Sequence, residues 1–284
     1  MRVLMCDPLY FKVGWENKGK NPHMNLSDQP RFSSALRQWA ELVEIYRNHG
    51  VLDEFVSSVP GRHDMVFAAN AGWMHGGVFF ASRLIPERKE ETPYYAAWFL
   101  KRELAVRYTE NPDLVFEGQG DIITTRDCYL YCHGSRNSVN IPQELAREAS
   151  FDRPMHTLRL LPDTGFYHGD LAIFYIRQAN ALLYCPYAFD AKSLDIIEKL
   201  DCDRYPVSKE FALSSTQKRD RNFPLNAMDL GSSIVVPWSL PKALFPRAMR
   251  KWLTEHGVDI VFHDFSEFAK SGAGVRCATL VLEE

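Results

Sequence analysis

An α/β fold assembled from repeated units is predicted by three features of the 284-residue chain. Strand-like runs alternate with amphipathic helical stretches along its whole length. A polar or nucleophilic residue opens a strand at Asp64, Glu117, His168, Asn226 and Cys277, at intervals of about fifty residues. A hairpin partner, a helix and often a further strand follow each opener. Such a period suggests stacked or radial units. The fifth unit has its first strand at the C-terminus and its helix near the N-terminus, so the two termini complete one module and close a ring. The expectation is a single domain over 1–284.

In order, residues 2–5 read as a strand leading into a polar loop, 12–31. A loop of that length without structure of its own is often functional. Residues 34–48 form a helix with the apolar stripe Leu36, Trp39, Ala40, Val43 and Tyr46, and Gly50 ends it. The small-residue stretch 62–72 reads as a strand with 78–82 as its hairpin partner. After the charged loop 83–91, Thr92 is the expected N-cap and Pro93 the first-turn proline of a helix reaching about residue 107. Strands follow at 121–125, 128–132 and 155–161, with a helix at 142–148. Strands at 171–176 and 181–184 precede a helix that Asp190 caps. The last unit has a strand at 233–236, a helix at 242–256 stopped by Gly257, a strand at 258–262 and the glycine-rich run before Cys277.

Composition excludes several classes. The net charge is −3 and the pI near 6.3, so no basic field exists to hold a nucleic-acid backbone. Residues 1–13 lack a basic start and a sustained apolar run, and Asp7 interrupts them, so they do not read as a signal peptide. No window approaches the ~20 apolar residues of a membrane span. The expected location is the cytoplasm, and the six scattered cysteines are then expected as free thiols. Cys128 and Cys132 lie on one face of an alternating stretch and read as structural thiols rather than zinc ligands. No metal or cofactor is expected, and the oligomeric state is not legible.

The most informative stretch is Phe116-Glu117-Gly118-Gln119-Gly120-Asp121-Ile122-Ile123. Two carboxylates bracket two glycines, and a β-branched strand follows at once. This reads either as an acidic surface turn or as a strand mouth whose carboxylates face a cleft. If the units are radial, the openers converge and bring together a thiol, an imidazole, carboxylates and an amide. A thiolate is a strong nucleophile once a neighbour lowers its pKa. Histidine can carry a proton to a leaving amine and then activate water, and carboxylates pair bidentately with guanidinium. The implied substrate is a guanidino compound attacked at its central carbon. Plainer readings stand beside these: Cys277 as a buried strand cysteine, His168 as a core hydrogen-bonder, Asp170 as a loop cap, Arg88 paired with Glu87 or Glu91.

The stretches 64–72, 116–121, 168–170 and 277–279, in that order and spacing, resemble the guanidine-modifying, or pentein, superfamily of amidinotransferases, arginine deiminases, dimethylarginine hydrolases and arginine dihydrolases. The resemblance implies a five-bladed ββαβ propeller with pseudo-fivefold symmetry, the termini sharing one blade. It implies Cys277 as nucleophile, His168 as general acid/base and Glu117 as the supporting carboxylate. Asp170 resembles the guanidinium-binding aspartate, and Asp64, Asn70 and Asp121 would line the same pocket. Arg88 and Arg136 resemble arginines that hold a substrate α-carboxylate, and Asn21 resembles a loop asparagine reaching the substrate. Asn70, in Phe67-Ala68-Ala69-Asn70-Ala71-Gly72, looks more like the arginine dihydrolase and bacterial amidinotransferase-like branch than branches with an acidic pair. The expected activity is hydrolysis of the guanidino group of arginine or a relative through a covalent thiouronium, releasing ammonia. Alternatives are an amidinotransferase, a dimethylarginine dimethylaminohydrolase and a non-catalytic binding protein.

Overall fold

Apolar strands alternate with half-polar ones along the chain, and that alternation decides the layering. The computed structural model describes residues 1–15, 20–213 and 222–283. Part of the 12–31 loop, residues 16–19, lies outside the described residues. The chain starts with β1 (Arg2–Cys6), α1 (Phe32–Asn48) and β2 (Leu52–Val56). The next unit is β3 (Gly72–His75), β4 (Val78–Ala81), α2 (Thr92–Leu100) and β5 (Ala105–Arg107). Then come β6 (Ile122–Thr124), β7 (Tyr129–His133), α3 (Ile141–Glu148) and β8 (Met155–Arg159). The fourth unit is β9 (Ile173–Ile176), β10 (Ala181–Tyr184), α4 (Ala191–Glu198) and β11 (Asp203–Pro206), followed by the short α5 (Lys209–Ala212). The fifth is β12 (Met228–Asp229), β13 (Ser233–Pro237), α6 (Arg247–Glu255) and β14 (Asp259–His263). After α7 (Ser266–Ala269), β15 (Leu280–Glu283) closes the series.

Among the described residues these strands make five three-stranded sheets of one design. An antiparallel pair is followed by a parallel strand reached across a helix, as a parallel connection requires. The first sheet has the order β15-β1-β2, with β1 antiparallel to β15 and parallel to β2. The expected sharing of one module by the two ends of the chain is therefore observed.

The middle strands are the most apolar. Phe79, Phe80, Leu130, Tyr131, Leu182, Leu183, Ile234 and Val235 are all buried. Each such side chain contributes roughly 1.5–3 kcal/mol when fully buried. The helices cover these sheets, with Phe99 of α2 stacked on Phe79 at 3.8 Å and Ile197 of α4 in the same cluster as Leu182 and Leu183. Cys128 and Cys132 are buried in that cluster too.

The structure corrects several sequence-based boundaries. Residues 62–72 are not a strand: Phe67 N donates to Asp64 O and Asn70 N to Phe67 O, so the chain turns there and β3 begins only at Gly72. Helix α2 stops at Leu100 rather than near 107, because Glu103 takes a positive φ and β5 then pairs with β4. Thr92 is the first helical residue, with Glu91 preceding it in the cap position. The stretch 242–256 is a 3-10 turn at Lys242–Leu244 and then α6, divided at Pro246, which cannot donate a helical hydrogen bond. Strands β2, β5 and β11 had no sequence signal. They carry Asp53, Glu54, Arg107, Asp203 and Arg204, because outer strands are only partly covered.

Candidate active site

The five openers sit in the turns just ahead of each sheet rather than in the strands. Glu117 precedes a 3-10 turn at Gly118–Gly120, and His168 precedes one at Gly169–Leu171. Asp64 lies ahead of the turn Ala68–Ala71. The turns touch each other closely. Gly118 has φ 62°, and a Cβ there would stand 2.4 Å from Gly72 O, so only glycine serves. A Cβ on Gly169 would stand 2.5 Å from Cys132 Sγ. That contact explains why glycine separates His168 from Asp170.

Cys277 is buried at the centre of this arrangement. Its Sγ donates to Asp170 Oδ2 at 3.3 Å and accepts from Asn226 Nδ2 at 3.1 Å. Its carbonyl accepts from Ala69 N at 3.0 Å, tying it to the second unit's turn. Burial, and then the Asp170 carboxylate, push the Cys277 thiol well above its ordinary pKa, with Asn226 acting in the other direction. The resting group is a neutral thiol. A cation beside Asp170 would reduce the cost of ionising it.

Glu117 and His168 form a buried pair, His168 Nε2 to Glu117 Oε2 at 2.5 Å. Arg136 Nη1 donates to the same oxygen at 2.8 Å. Burial alone would raise the Glu117 pKa, but Arg136, then His168 and Arg88, hold it well below the usual carboxylate range. Arg136 lies 4.5 Å over the Tyr167 ring and 5.4 Å from the Trp15 ring, and its Nε donates to Lys20 O at 2.9 Å. Its Nη2 is buried; among the described residues, then, one guanidinium nitrogen of the site is left without a partner.

Three carboxylate oxygens are likewise buried without a hydrogen-bond partner among the described residues, Asp64 Oδ1, Asp121 Oδ2 and Asp170 Oδ1, though Asp121 Oδ2 lies 3.7 Å from His168 Nε2. Asp64 Oδ2 accepts from Trp15 Nε1 at 2.7 Å, and Asp121 Oδ1 from Gly169 N at 2.7 Å. Burial pushes Asp121 up to about 7 against the pull of His168, and burial also raises Asp170. Buried unpaired acceptors of this kind are costly and suit a cationic hydrogen-bond donor.

Arg88 is buried, and four of the five N–H groups of its guanidinium donate within the protein. It donates to Glu91 Oε2 at 2.8 and 3.1 Å, to Asp64 O at 3.0 Å and to Asn70 Oδ1 at 2.9 Å. The pairing with Glu91 therefore coexists with a place in the site rather than excluding one. Asn21 donates to Ser271 O at 3.0 Å and accepts from His23 N at 3.1 Å, so its side chain pins the loop. Asn21, Asp64, Asn70, Arg88, Arg136 and Cys277 line one small cavity, with Trp15, Met24 and Tyr167. A larger cavity of about 270 Å³, lined by Trp73, His75, Tyr175 and Arg177 among others, holds no thiol.

The comparisons agree with this geometry. No protein-family model matches the chain. The bifunctional arginine dihydrolase/ornithine cyclodeaminase ArgZ of Synechocystis is 32% identical over 288 residues, covering 100% of this chain and 38% of that protein. The chain thus spans 38% of the length of the curated relatives of this kind. The solved N-terminal domain of cyanobacterial ArgZ, an arginine dihydrolase with product bound, superposes with a TM-score of 0.87 at 30% identity, covering 100% of this chain and 97% of that domain. The chain belongs to the guanidine-modifying superfamily. A further structure of that domain, a variant covalently bound to a reaction intermediate, matches with a TM-score of 0.87 and 29% identity over 100% of this chain and 98% of that one.

Within this superfamily fold, six of the ten sequence-predicted site residues line the small cavity, and Glu117, His168, Asp121 and Asp170 lie in turns joined to it through Arg136 and Cys277. Three contributors escaped the sequence reading. Trp15 and Tyr167 both set a ring against the Arg136 guanidinium; a tryptophan in a polar loop and an aromatic before His168 were the signals. Asn137 Oδ1 accepts from Glu117 N at 2.8 Å and had none. Asn226 was recognised as an opener, but its contact with Cys277 follows only from the fold.

Proposed function

We propose that this chain is a hydrolase acting on the guanidino group of arginine, of the arginine dihydrolase kind. The observation that carries the reading is the placement of Cys277 Sγ between Asp170 and Asn226, on a cavity that Asp64 and Arg136 also line and that the Glu117–His168 pair adjoins through Arg136. The bound product and covalent intermediate in similar domains support it. Asp64, Asp121 and Asp170 would receive the guanidinium. That cation offsets the negative field at Cys277 and permits ionisation of the thiol. Sγ attacks the guanidino carbon, and His168, held by Glu117, delivers a proton to the departing ammonia. The thiouronium is then hydrolysed by water that His168 deprotonates, and the C–S bond breaks to give citrulline. A second round at the ureido carbon yields ornithine, carbon dioxide and a second ammonia. Arg136, whose Nη2 has no partner among the described residues, and Arg88 would hold the α-carboxylate, and Asn21 would keep the loop over the substrate.

The same reading takes the five sheets as blades of a propeller with pseudo-fivefold symmetry, one catalytic domain over 1–284. Packing of β15 against β3 and of β6 against β9 supports it, since those are the first strands of different sheets. No helix among the described residues is long and apolar enough to cross a membrane, and we place the protein in the cytoplasm. The loop contacts of Trp15, Lys20 and Asn21 across the site favour water over an acceptor amine, and hence a hydrolase over an amidinotransferase.

The test is ammonia release and amino-acid analysis with arginine, agmatine and dimethylarginine, each with and without glycine as acceptor. Ornithine from arginine, independent of acceptor, is expected. Amidino transfer that requires the acceptor, or no turnover of any of the three, would overturn the reading.

A further inference from the structure

Asn226 is fully buried, and every polar atom of its carboxamide is used within the site. Oδ1 accepts from Gly274 N at 2.9 Å and from Cys277 N at 3.0 Å. Nδ2 donates to Cys277 Sγ at 3.1 Å and to Asp170 O at 3.3 Å. Its backbone carbonyl also accepts from Arg276 N at 3.1 Å. One residue thus fastens the segment carrying the thiol and points an N–H at the sulfur.

We propose that Asn226 is the positioning residue for Cys277: its oxygen fixes the 274–277 segment, and its N–H supports the sulfur once ionised. The proposal rests on the reading of Cys277 as the attacking thiol. The other buried side chain bonded to Sγ is Asp170, a carboxylate, which disfavours a thiolate. In the proposed reaction Asp170 is also engaged by substrate. Asn226 then offers the sulfur a neutral donor in every state, which a carboxylate cannot do. The two ends of the amide are separable. Asp in its place is close in shape and keeps an acceptor for Gly274 N and Cys277 N, but loses the donor and adds charge beside the sulfur.

The experiment follows alkylation of Cys277 by iodoacetamide, read by peptide mass spectrometry across neutral to alkaline pH, in wild type, Asn226→Asp and Asn226→Ala. In Asn226→Asp the alkylation profile should move up by about one pH unit or more, and turnover at neutral pH should fall about tenfold or more. Asn226→Ala should shift the same way, and it carries the test if the aspartate variant does not fold. A wild-type profile in folded Asn226→Ala would overturn the proposal, since that change removes the N–H without adding the charge that by itself moves the sulfur in Asn226→Asp. Alkylation needs no substrate. A shifted profile in a protein that does not turn over arginine would therefore refute the activity while supporting this role, and an unshifted profile in an active enzyme would do the reverse.

Discussion

Asn70 presents its two ends to different neighbours. Oδ1 is taken by Arg88 Nη1 at 2.9 Å, whereas Nδ2 lies 3.4 Å from Glu117 O and 3.5 Å from His168 Nδ1. The donor end therefore faces the reacting groups, where it can meet a ureido oxygen; aspartate would remove it. Wild type should convert arginine to ornithine, and Asn70→Asp should stop largely at citrulline. Amino-acid analysis of completed reactions checks this, and citrulline from both would remove the role. Arg136 has two functions that one truncation affects unequally. It neutralises Glu117 at 2.8 Å, and its Nη2 has no partner among the described residues. Removing one member of a buried pair costs about 3–5 kcal/mol of stability, and it leaves Glu117, the partner of His168, without its main neutralising cation, so Arg136→Ala should weaken turnover of every substrate. A charge-assisted hydrogen bond to the α-carboxylate adds about 1.5–3 kcal/mol. Arginine should therefore lose about tenfold or more in kcat/KM beyond the loss for agmatine, which lacks that group, and equal losses would show that Arg136 does not read it.

At the scale of elements, the catalytic groups are held by turns packed against turns. Gly118 shows how little room there is: with φ 62° and a Cβ position 2.4 Å from Gly72 O and 2.7 Å from Ala69 O, an alanine must displace two backbone segments. Backbone strain and overpacking each cost roughly 1–3 kcal/mol. Gly118→Ala should lower the melting temperature measurably and displace Glu117 with it, reducing turnover more than stability alone explains. An unchanged melting temperature would mean the turns can part freely. These turns also explain what the sequence could not convey. Middle strands such as β7 and β10 were legible because their residues are buried on both faces. The stretch 62–72 has the small apolar residues of a strand, yet hydrogen bonds from Phe67 to Asp64 and from Asn70 to Phe67 make it a turn. Strands β2, β5 and β11 are polar outer strands whose pairing depends on neighbours far along the chain, and no local pattern reports that.

Across the whole molecule the burial of acidic groups sets the response to pH. Burial raises Glu91 and Asp121 to about 7, against Arg88 and His168 respectively. Their folded-state values lie above the ordinary 4.5 and 3.8, so their contribution to stability is full below those values and is lost as pH rises through about 7. Glu117 is depressed, so its contribution is present above 4.5 and lost as pH falls below it. Melting temperature should therefore decline from about pH 5 to pH 8, and Asp121→Asn should flatten the decline; a rise over that range in wild type would contradict the assignment. The recurring openers made the repeat, the shared terminal module and the cluster of Asp64, Glu117, His168, Asn226 and Cys277 legible. The mutual roles within the cluster were not, since Arg136 on Glu117 and Asn226 on Cys277 are contacts between separate units. The central claim is that Cys277 attacks the guanidino carbon. It is tested most directly by acid-quenching the enzyme during turnover of arginine and locating covalent adducts by peptide mass spectrometry. The account predicts an adduct on the Cys277 peptide with the mass of arginine less ammonia, absent in Cys277→Ser; an active enzyme with an unmodified Cys277, or the same adduct in Cys277→Ser, would contradict it.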